Sequence, residues 1–189
     1  HHQPGLVLGA LGELLRVVAT DPSQVKLGGI VASSSNTITL GDADTPVVLI
    51  ANSNVNSGTA ALNFGGTVNG AYFLYANSGG NATFSKAVGG SAPLSSITTN
   101  ANGTTYINGG ALTTTGTQTY NDALVLGADT VFTTTNSKIT FDGTVNSEAS
   151  EANDMSINVG ASEVEFNGIV GGGTNGSLGV IDITGALNL

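Results

Sequence analysis

Two short runs of threonine are the residues of this sequence best suited to form a ligand-binding surface. The runs begin 20 residues apart and consist of Thr113, Thr114 and Thr115 and of Thr133, Thr134 and Thr135. If the chain winds in coils of about that length, the two runs lie in adjacent coils and form a flat ladder of hydroxyl groups, a surface that suits glycans or ice. The alternative is an ordinary polar strand face, because threonine is favoured in strands whatever the function.

The acidic residues are candidates for cation binding. Asp42 and Asp44 are two residues apart, which puts both carboxylates on one face of a strand and suits a cation. The local composition also favours a tight turn, and the turn is our prediction because the Gly-Gly-x-Gly-x-Asp calcium repeat is missing. The other acidic groups are predicted to face solvent, on a loop with Glu148, Glu151 and Asp154 and on the outward side of a strand with Glu163 and Glu165.

Catalysis needs side chains that this sequence keeps apart. A β-helix polysaccharide lyase uses a Lys or Arg base beside a calcium-binding group of carboxylates, and a hydrolase uses paired carboxylates. Arg16 is the only arginine, and Lys26, Lys86 and Lys138 are scattered along the chain. There is no cysteine, and the two histidines are at positions 1 and 2. We therefore predict no enzyme activity, no catalytic or metal site and no cofactor, with a polysaccharide-active β-helix enzyme as the least favoured alternative.

Charge and hydropathy argue against two classes of partner. The 189 residues carry a net charge of −9, whereas a nucleic-acid surface needs clustered Lys and Arg. The sequence contains no uninterrupted apolar run of about 18 residues, so no membrane span is predicted. Val, Ile and Thr are frequent and charged residues make up only 9% of the chain, a composition that favours a folded chain of strands.

A repeat of about 80 residues runs through the chain. Residues 63–69 (NFGGTVN) correspond to residues 140–146 (TFDGTVN), and residues 26–29 (KLGG) correspond to residues 107–110 (INGG). We accordingly divide one continuous solenoid into the end of a preceding repeat or an N-terminal cap (1–27), a first repeat unit (28–108) and a second repeat unit (109–189).

A shorter motif recurs inside the units, in which an aromatic residue is followed four positions later by an aliphatic one. The pairs are Phe64/Val68, Phe84/Val88, Tyr120/Leu124, Phe141/Val145 and Phe166/Val170. Three of the four gaps between these aromatics are 20 to 25 residues and the fourth is 36, and a pass of about 20 residues is the length of one solenoid coil. We therefore predict an all-β fold, a right-handed parallel β-helix (β-solenoid) with about 20 residues per coil.

A single coil buries too little apolar surface to offset the ordering of its backbone, so each coil must depend on its neighbours. The residues predicted to point inward are Phe64, Phe84, Leu94, Ile97, Leu112, Leu124, Leu126, Phe141, Ile157, Phe166 and Ile181.

The N-terminal segment departs from this pattern. Leu8, Leu11, Leu15 and Val18 have helical spacing, but their repeat partners at 88–97 are rich in Gly, Ser and Pro. We predict a strand here, with a cap helix as the alternative. His1 and His2 have the appearance of a purification-tag remnant.

Five segments carry a resemblance to a known family. They are residues 88–94, 104–110 (TTYINGG), 112–119 (LTTTGTQT), 120–130 (YNDALVLGADT) and 139–146 (ITFDGTVN). These segments resemble the β-strand repeats of filamentous-haemagglutinin-like and autotransporter-type bacterial surface adhesins. The resemblance implies a secreted right-handed parallel β-helix stalk at the bacterial cell surface, without enzyme activity in the repeats. Residues 147–152 (SEASEA) depart from the repeat, and we interpret them as a loop that bulges from one coil.

The sequence thus predicts a structural and adhesive β-solenoid segment of a large, extracellular bacterial cell-surface protein, acting as a rigid stalk or fibre element. The expected partners are neighbouring repeats of the same array, further copies in a fibre, and a carbohydrate or host surface. The alternative from a different class is a carbohydrate- or ice-binding module that uses the threonine-rich face.

Overall fold

The fold is built from short strands alone. The structure is a computed structural model that describes residues 15–17, 24–172 and 176–189, and within them it contains eighteen strands and no helix. The strands are β1 Leu15–Val17, β2 Val25–Ala32, β3 Ile38–Leu40, β4 Val47–Asn56, β5 Leu62–Phe64, β6 Val68–Asn69, β7 Phe73–Asn77, β8 Asn81–Phe84, β9 Ser96–Thr99, β10 Thr104–Ile107, β11 Ala111–Thr113, β12 Gln118–Tyr120, β13 Ala123–Leu126, β14 Thr130–Thr133, β15 Ile139–Phe141, β16 Val145–Ser147, β17 Met155–Phe166 and β18 Ile181–Asn188.

The strands stack as successive turns of a solenoid. The ladders between them are parallel, and partners lie about one coil apart, as in the pairing of Leu62 with Ala82 and of Thr105 with Leu124. The chain makes about 7 turns of roughly 23 residues. This arrangement confirms the predicted β-solenoid. The coil is longer than the predicted 20 residues because extra residues sit in the corners, as in the loop 148–154 between β16 and β17.

Each coil passes through three faces, which we name A, B and C in chain order. Face A is the 7-stranded sheet β1-β3-β5-β8-β10-β13-β16. Faces B and C share the 11-stranded sheet, because β2, β4, β17 and β18 each run from one face into the next. Face B contains the first halves of those long strands with β6, β11 and β14, and face C contains their second halves with β7, β9, β12 and β15.

Alternating side chains explain why these segments form strands. In β3 and β5 the residues Ile38, Leu40, Leu62 and Phe64 point inward and are buried, while Thr39 between the first two points outward. The buried apolar side chains of all coils form one cluster along the axis. Burying each such side chain contributes about 1.5–3 kcal/mol, so stability accumulates only as coils are stacked.

The predicted inward residues are buried, with one exception. The ten buried ones are Phe64, Phe84, Leu94, Ile97, Leu112, Leu124, Leu126, Phe141, Ile157 and Phe166. Ile181 is 45% exposed, so its predicted burial is wrong. It continues an inward column, since it pairs with the buried Met155, but it lies in β18, whose other edge has no partner strand among the described residues.

The aromatic–aliphatic motif marks corners of the solenoid. The aromatic is the last inward residue of one strand, and the aliphatic residue four positions later is the first inward residue of the next face. Phe64 stacks on Phe84 at the end of face A, with ring centroids 4.9 Å apart. Tyr120, Phe141 and Phe166 stack in the same way at the end of face C. The gap of 36 residues between Phe84 and Tyr120 is longer because the stacked aromatic rings lie at the end of face A up to Phe84 and at the end of face C from Tyr120 onward.

The 80-residue register therefore aligns similar corners of different faces. Phe64 ends a strand of face A, whereas its counterpart Phe141 ends a strand of face C. The division of the chain at residues 28 and 109 stays a prediction.

Glycines allow successive corners to approach each other. Gly58 has a φ of 63°, and a Cβ there would lie 1.9 Å from the carbonyl oxygen of Ser34 in the preceding coil. Gly109 has ordinary backbone angles, but its Cβ would lie 2.0 Å from the backbone carbon of Lys86. Only glycine fits at these two corners, at Gly58 for reasons of conformation and space and at Gly109 for reasons of space alone.

The predicted N-terminal strand is observed where the chain is described. Leu15–Val17 forms β1, which pairs in parallel with β3 at the start of face A. Leu8, Leu11 and Val18, which share the helical spacing, lie outside the described residues, as do His1 and His2.

Candidate functional site

The two threonine runs lie in adjacent coils, on face B and the corner that follows it. Thr113 and Thr133 are register partners that point outward. Thr115 and Thr135 are exposed at the corner after each strand. Thr114 and Thr134, in contrast, are buried, with 1% and 5% of their surface accessible.

The two buried threonines close the corners. The Thr114 hydroxyl donates to the carbonyl oxygen of Gly116 at 2.6 Å, and the Thr134 hydroxyl donates to the carbonyl oxygen of Ser137. Their hydroxyls are therefore engaged within the chain, and the ladder of outward hydroxyls on this face contains only the flanking threonines.

A buried glutamine that the sequence pattern did not predict lies between the coils. The Gln118 amide nitrogen donates to the carbonyl oxygens of Leu112 and Thr133 at 3.2 and 3.0 Å, and its oxygen accepts from the Tyr120 hydroxyl at 3.0 Å. Burial raises the pKa of Tyr120 well above its usual value, and the nearby Asp122 carboxylate raises it further. The network bridges two faces, because Gln118 belongs to face C and its carbonyl partners to face B.

Asp122 is the one buried carboxylate in the described part of the chain. Its two oxygens accept hydrogen bonds from the hydroxyls of Thr99 at 2.7 Å and Thr105 at 2.8 Å, so it ties the end of one coil to the start of the next. Burial raises the pKa of Asp122, and the two threonine hydrogen bonds act in the opposite direction. The run Tyr-Asn-Asp gave no signal for this, because it has the composition of an exposed turn.

A column of Asn and Asp side chains follows the corner between faces C and A. Each member comes directly after the last inward residue of a face C strand, and the members are Asn56, Asn77, Asn100, Asn121, Asp142 and Asn167. Asn100 accepts from the backbone nitrogen of Ser78 at 2.8 Å, and Asn167 donates to the carboxylate of Asp142 at 2.6 Å. The column satisfies backbone and side-chain groups of adjacent coils. Its sequence signal is an Asn or Asp at intervals of 21 to 25 residues, which was not among the predicted patterns.

The acidic groups lie where they were predicted. Residues 42–45 form a tight turn, closed by backbone hydrogen bonds between Asp42 and Thr45 and by an Asp44 amide that donates to the Asp42 carboxylate. Glu148, Glu151 and Asp154 are exposed in the loop after β16. The turn prediction and the loop prediction are thus confirmed.

Glu163 and Glu165 lie on the outward side of β17, as predicted, and both pair with the same lysine. Lys138 on the neighbouring coil is 2.8 Å from a carboxylate oxygen of Glu163 and 2.6 Å from one of Glu165. The two acceptors raise the pKa of Lys138 to about 12. One lysine thus offsets part of the negative charge at this end of face C.

Face C carries two outward columns of uncharged side chains, mostly hydroxyl-bearing or aromatic, which we call the hydroxyl columns. The first contains Asn54, Tyr75, Thr98, Thr119 and Thr140, which are successive register partners. The second column contains Phe73 and its register partner Ser96. Its next member is Thr117, which lies beside Ser96 because the residues that follow them, Gln118 and Ile97, are register partners. Adjacent members of a column are about 4.8 Å apart, the spacing of paired strands.

Two other features of the described residues bear on binding. A shallow depression of about 370 Å³ lies beside the loop after β16, where Tyr106, Val125 and Asn146 of face A meet Glu148 and Gly176. In the described ranges, no group of three or more His, Cys, Asp or Glu side chains is arranged to hold a metal ion.

The fold defines the class of this protein, a β-solenoid. Comparisons with family models, curated proteins and solved structures return no match for the chain. Across the described ranges, no helix is long and apolar enough to cross a membrane.

Proposed function

We propose that this chain is a structural and adhesive β-solenoid segment of a large secreted bacterial cell-surface protein, in which it acts as a rigid stalk or fibre element. The observation that supports the proposal is the continuity of the inward columns through every coil, up to and including β18. Met155 and Ile157 are buried beneath Ile181 and Ile183, and these two residues repeat the inward pattern at the open edge.

An open edge of this kind is suited to further stacking. Ile181 is 45% exposed and Leu187 is 51% exposed, although their partners Met155 and Val164 are fully buried. A further parallel coil laid on β18 covers these side chains and pairs the free backbone groups of the edge. The length of the element is therefore set by the number of coils, which is the property that a spacer needs.

The test is a tandem duplication that preserves register. Leu62 and Leu124 occupy the same column of face A three coils apart, so duplication of residues 62–123 adds three complete coils. We expect a folded protein that is about 14 Å longer by small-angle X-ray scattering. The control duplicates residues 62–111, so that Ala111 of face B is followed directly by Leu62 of face A and the register between coils is broken. This control protein should lose the β-sheet circular dichroism signal of the parent.

The spacer proposal is contradicted if the in-register duplication unfolds or leaves the length unchanged. The surface location has its own test: antibodies against the chain should label intact cells of the source bacterium, and labelling only after lysis would refute that part of the proposal.

A further inference from the structure

The strongest unassigned feature of the molecule is the outward side of face C. Two aromatic rings lie side by side in its hydroxyl columns, since the ring centroids of Phe73 and Tyr75 are 4.8 Å apart and the ring planes are tilted by 46°. Tyr75 is 40% exposed. The Tyr75 ring is thus open to solvent on a sheet surface, and the half-buried ring of Phe73 lies beside it.

The hydroxyl groups beside these rings are free to bind a ligand. Among the described residues, the side-chain hydroxyls of Tyr75, Thr98, Thr119 and Thr140 have no hydrogen-bond partner, whereas the inward Thr99 of the same face donates to Asp122. The threonines of face C therefore divide into inward residues that hold the coils together and outward residues that are available.

The charge of this surface selects the type of ligand. The chain has a net charge of −9, yet the hydroxyl columns are uncharged from Asn54 to Thr140. The nearest cation, Lys138, is held by Glu163 and Glu165. No free positive charge is present in the columns to attract an anionic polymer, and an uncharged ligand avoids repulsion by the rest of the molecule.

We propose that the hydroxyl columns bind a neutral, linear polysaccharide that lies along the solenoid axis. A sugar ring has an apolar C–H side, which suits the exposed ring of Tyr75 and the half-buried ring of Phe73 beside it, and a rim of hydroxyls, which suits the threonine hydroxyls. The column from Tyr75 to Thr140 is about 14 Å long, so it contacts several sugar units and favours a polymer over a monosaccharide. This inference does not depend on the stalk role.

The test is affinity gel electrophoresis of the whole chain in gels that contain neutral polysaccharides, namely a β-1,4-glucan, an α-glucan and a galactomannan. Tyr75→Ala removes the exposed ring and should weaken retardation by a bound polysaccharide about tenfold, a loss of about 1.4 kcal/mol. Thr119→Val keeps the shape of the side chain but removes the hydroxyl, and it should weaken binding by a smaller factor.

The matched control is Tyr106→Ala, because Tyr106 is an outward tyrosine on face A, between Thr83 and Val125. It should leave retardation unchanged, and circular dichroism should show that all three variants are folded. Binding that is equally weakened by the Tyr75 and Tyr106 substitutions would overturn the proposal. So would no retardation by any of these polymers, or retardation only in a parallel gel that contains the anionic polysaccharide alginate.

Discussion

Phe141 offers the sharpest test of stacking as the source of stability. Its ring lies between those of Tyr120 and Phe166, at centroid distances of 5.2 and 4.9 Å and nearly parallel to both, and it meets the edge of Phe132 at 5.5 Å. It is 1% exposed. Phe141→Ala therefore removes one buried side chain and three ring contacts from the middle of the column.

The expected loss follows from these contacts. Truncation of a buried Phe to Ala typically costs about 3–5 kcal/mol, and the three ring contacts place this site at the upper end, because each aromatic pair adds about 0.5–1.5 kcal/mol. Phe141→Leu keeps most of the buried apolar surface and loses the ring contacts, so we expect a loss of roughly 2 kcal/mol. The measurement is urea unfolding followed by circular dichroism.

The control is Phe73→Ala, which removes a ring of the same size from the outward side of face C and should cost less than about 1 kcal/mol. If Phe141→Ala costs no more than the surface substitution, the aromatic column does not hold the coils together and our reasoning is wrong.

Three further predictions concern single interactions. The pKa of Asp122 is raised in the folded chain, so the stability that its protonated carboxyl contributes is complete below about 3.8, the ordinary pKa of Asp, and is lost as the pH rises. The urea midpoint of Asp122→Asn should therefore rise relative to that of the parent between pH 3 and pH 6. A difference between the two midpoints that stays constant with pH would refute this prediction. Gly109→Ala should lower the free energy of unfolding by about 1–3 kcal/mol, because the new Cβ overlaps the backbone of the neighbouring coil. Gly90→Ala should have almost no effect, because the nearest neighbour of its Cβ would be 3.8 Å away. Equal urea midpoints for the two variants would contradict the packing argument. Lys138→Ala should lower the urea midpoint at low ionic strength and match the parent in high salt, because the two ion pairs are solvent-exposed; a loss that persists in high salt would contradict an electrostatic origin.

Local pattern was enough to predict the architecture. The recurrence of an aromatic residue after 20 to 25 residues, as between Phe64 and Phe84 and between Tyr120 and Phe141, predicted stacked coils, because in a solenoid each residue is supported by a residue one coil away. Corner length was harder to predict, since it depends on which backbones meet, as at Gly109 and Lys86. The coil was therefore predicted to be shorter than it is.

The candidate site was predicted less well because inward and outward threonines look alike in a sequence. Thr114 and Thr98 have similar neighbours, yet Thr114 is buried at a corner and Thr98 points outward. The burial of Asp122 depends on hydroxyls from two other strands, 17 and 23 residues away. Such contacts follow from the register between coils, which the 80-residue repeat did not reveal.

The most direct test of the whole account is a set of distances along face C. The chain has no cysteine, so spin labels can be attached to pairs that combine Ile30→Cys with Thr98→Cys, Thr140→Cys or Asn188→Cys. These residues belong to the same outward column, three, five and seven coils from Ile30. Pulsed electron spin resonance should give backbone separations of about 14, 24 and 34 Å, in steps of about 4.8 Å per coil. Distances that do not increase in proportion to the number of coils would contradict the stacked solenoid and the functions proposed from it.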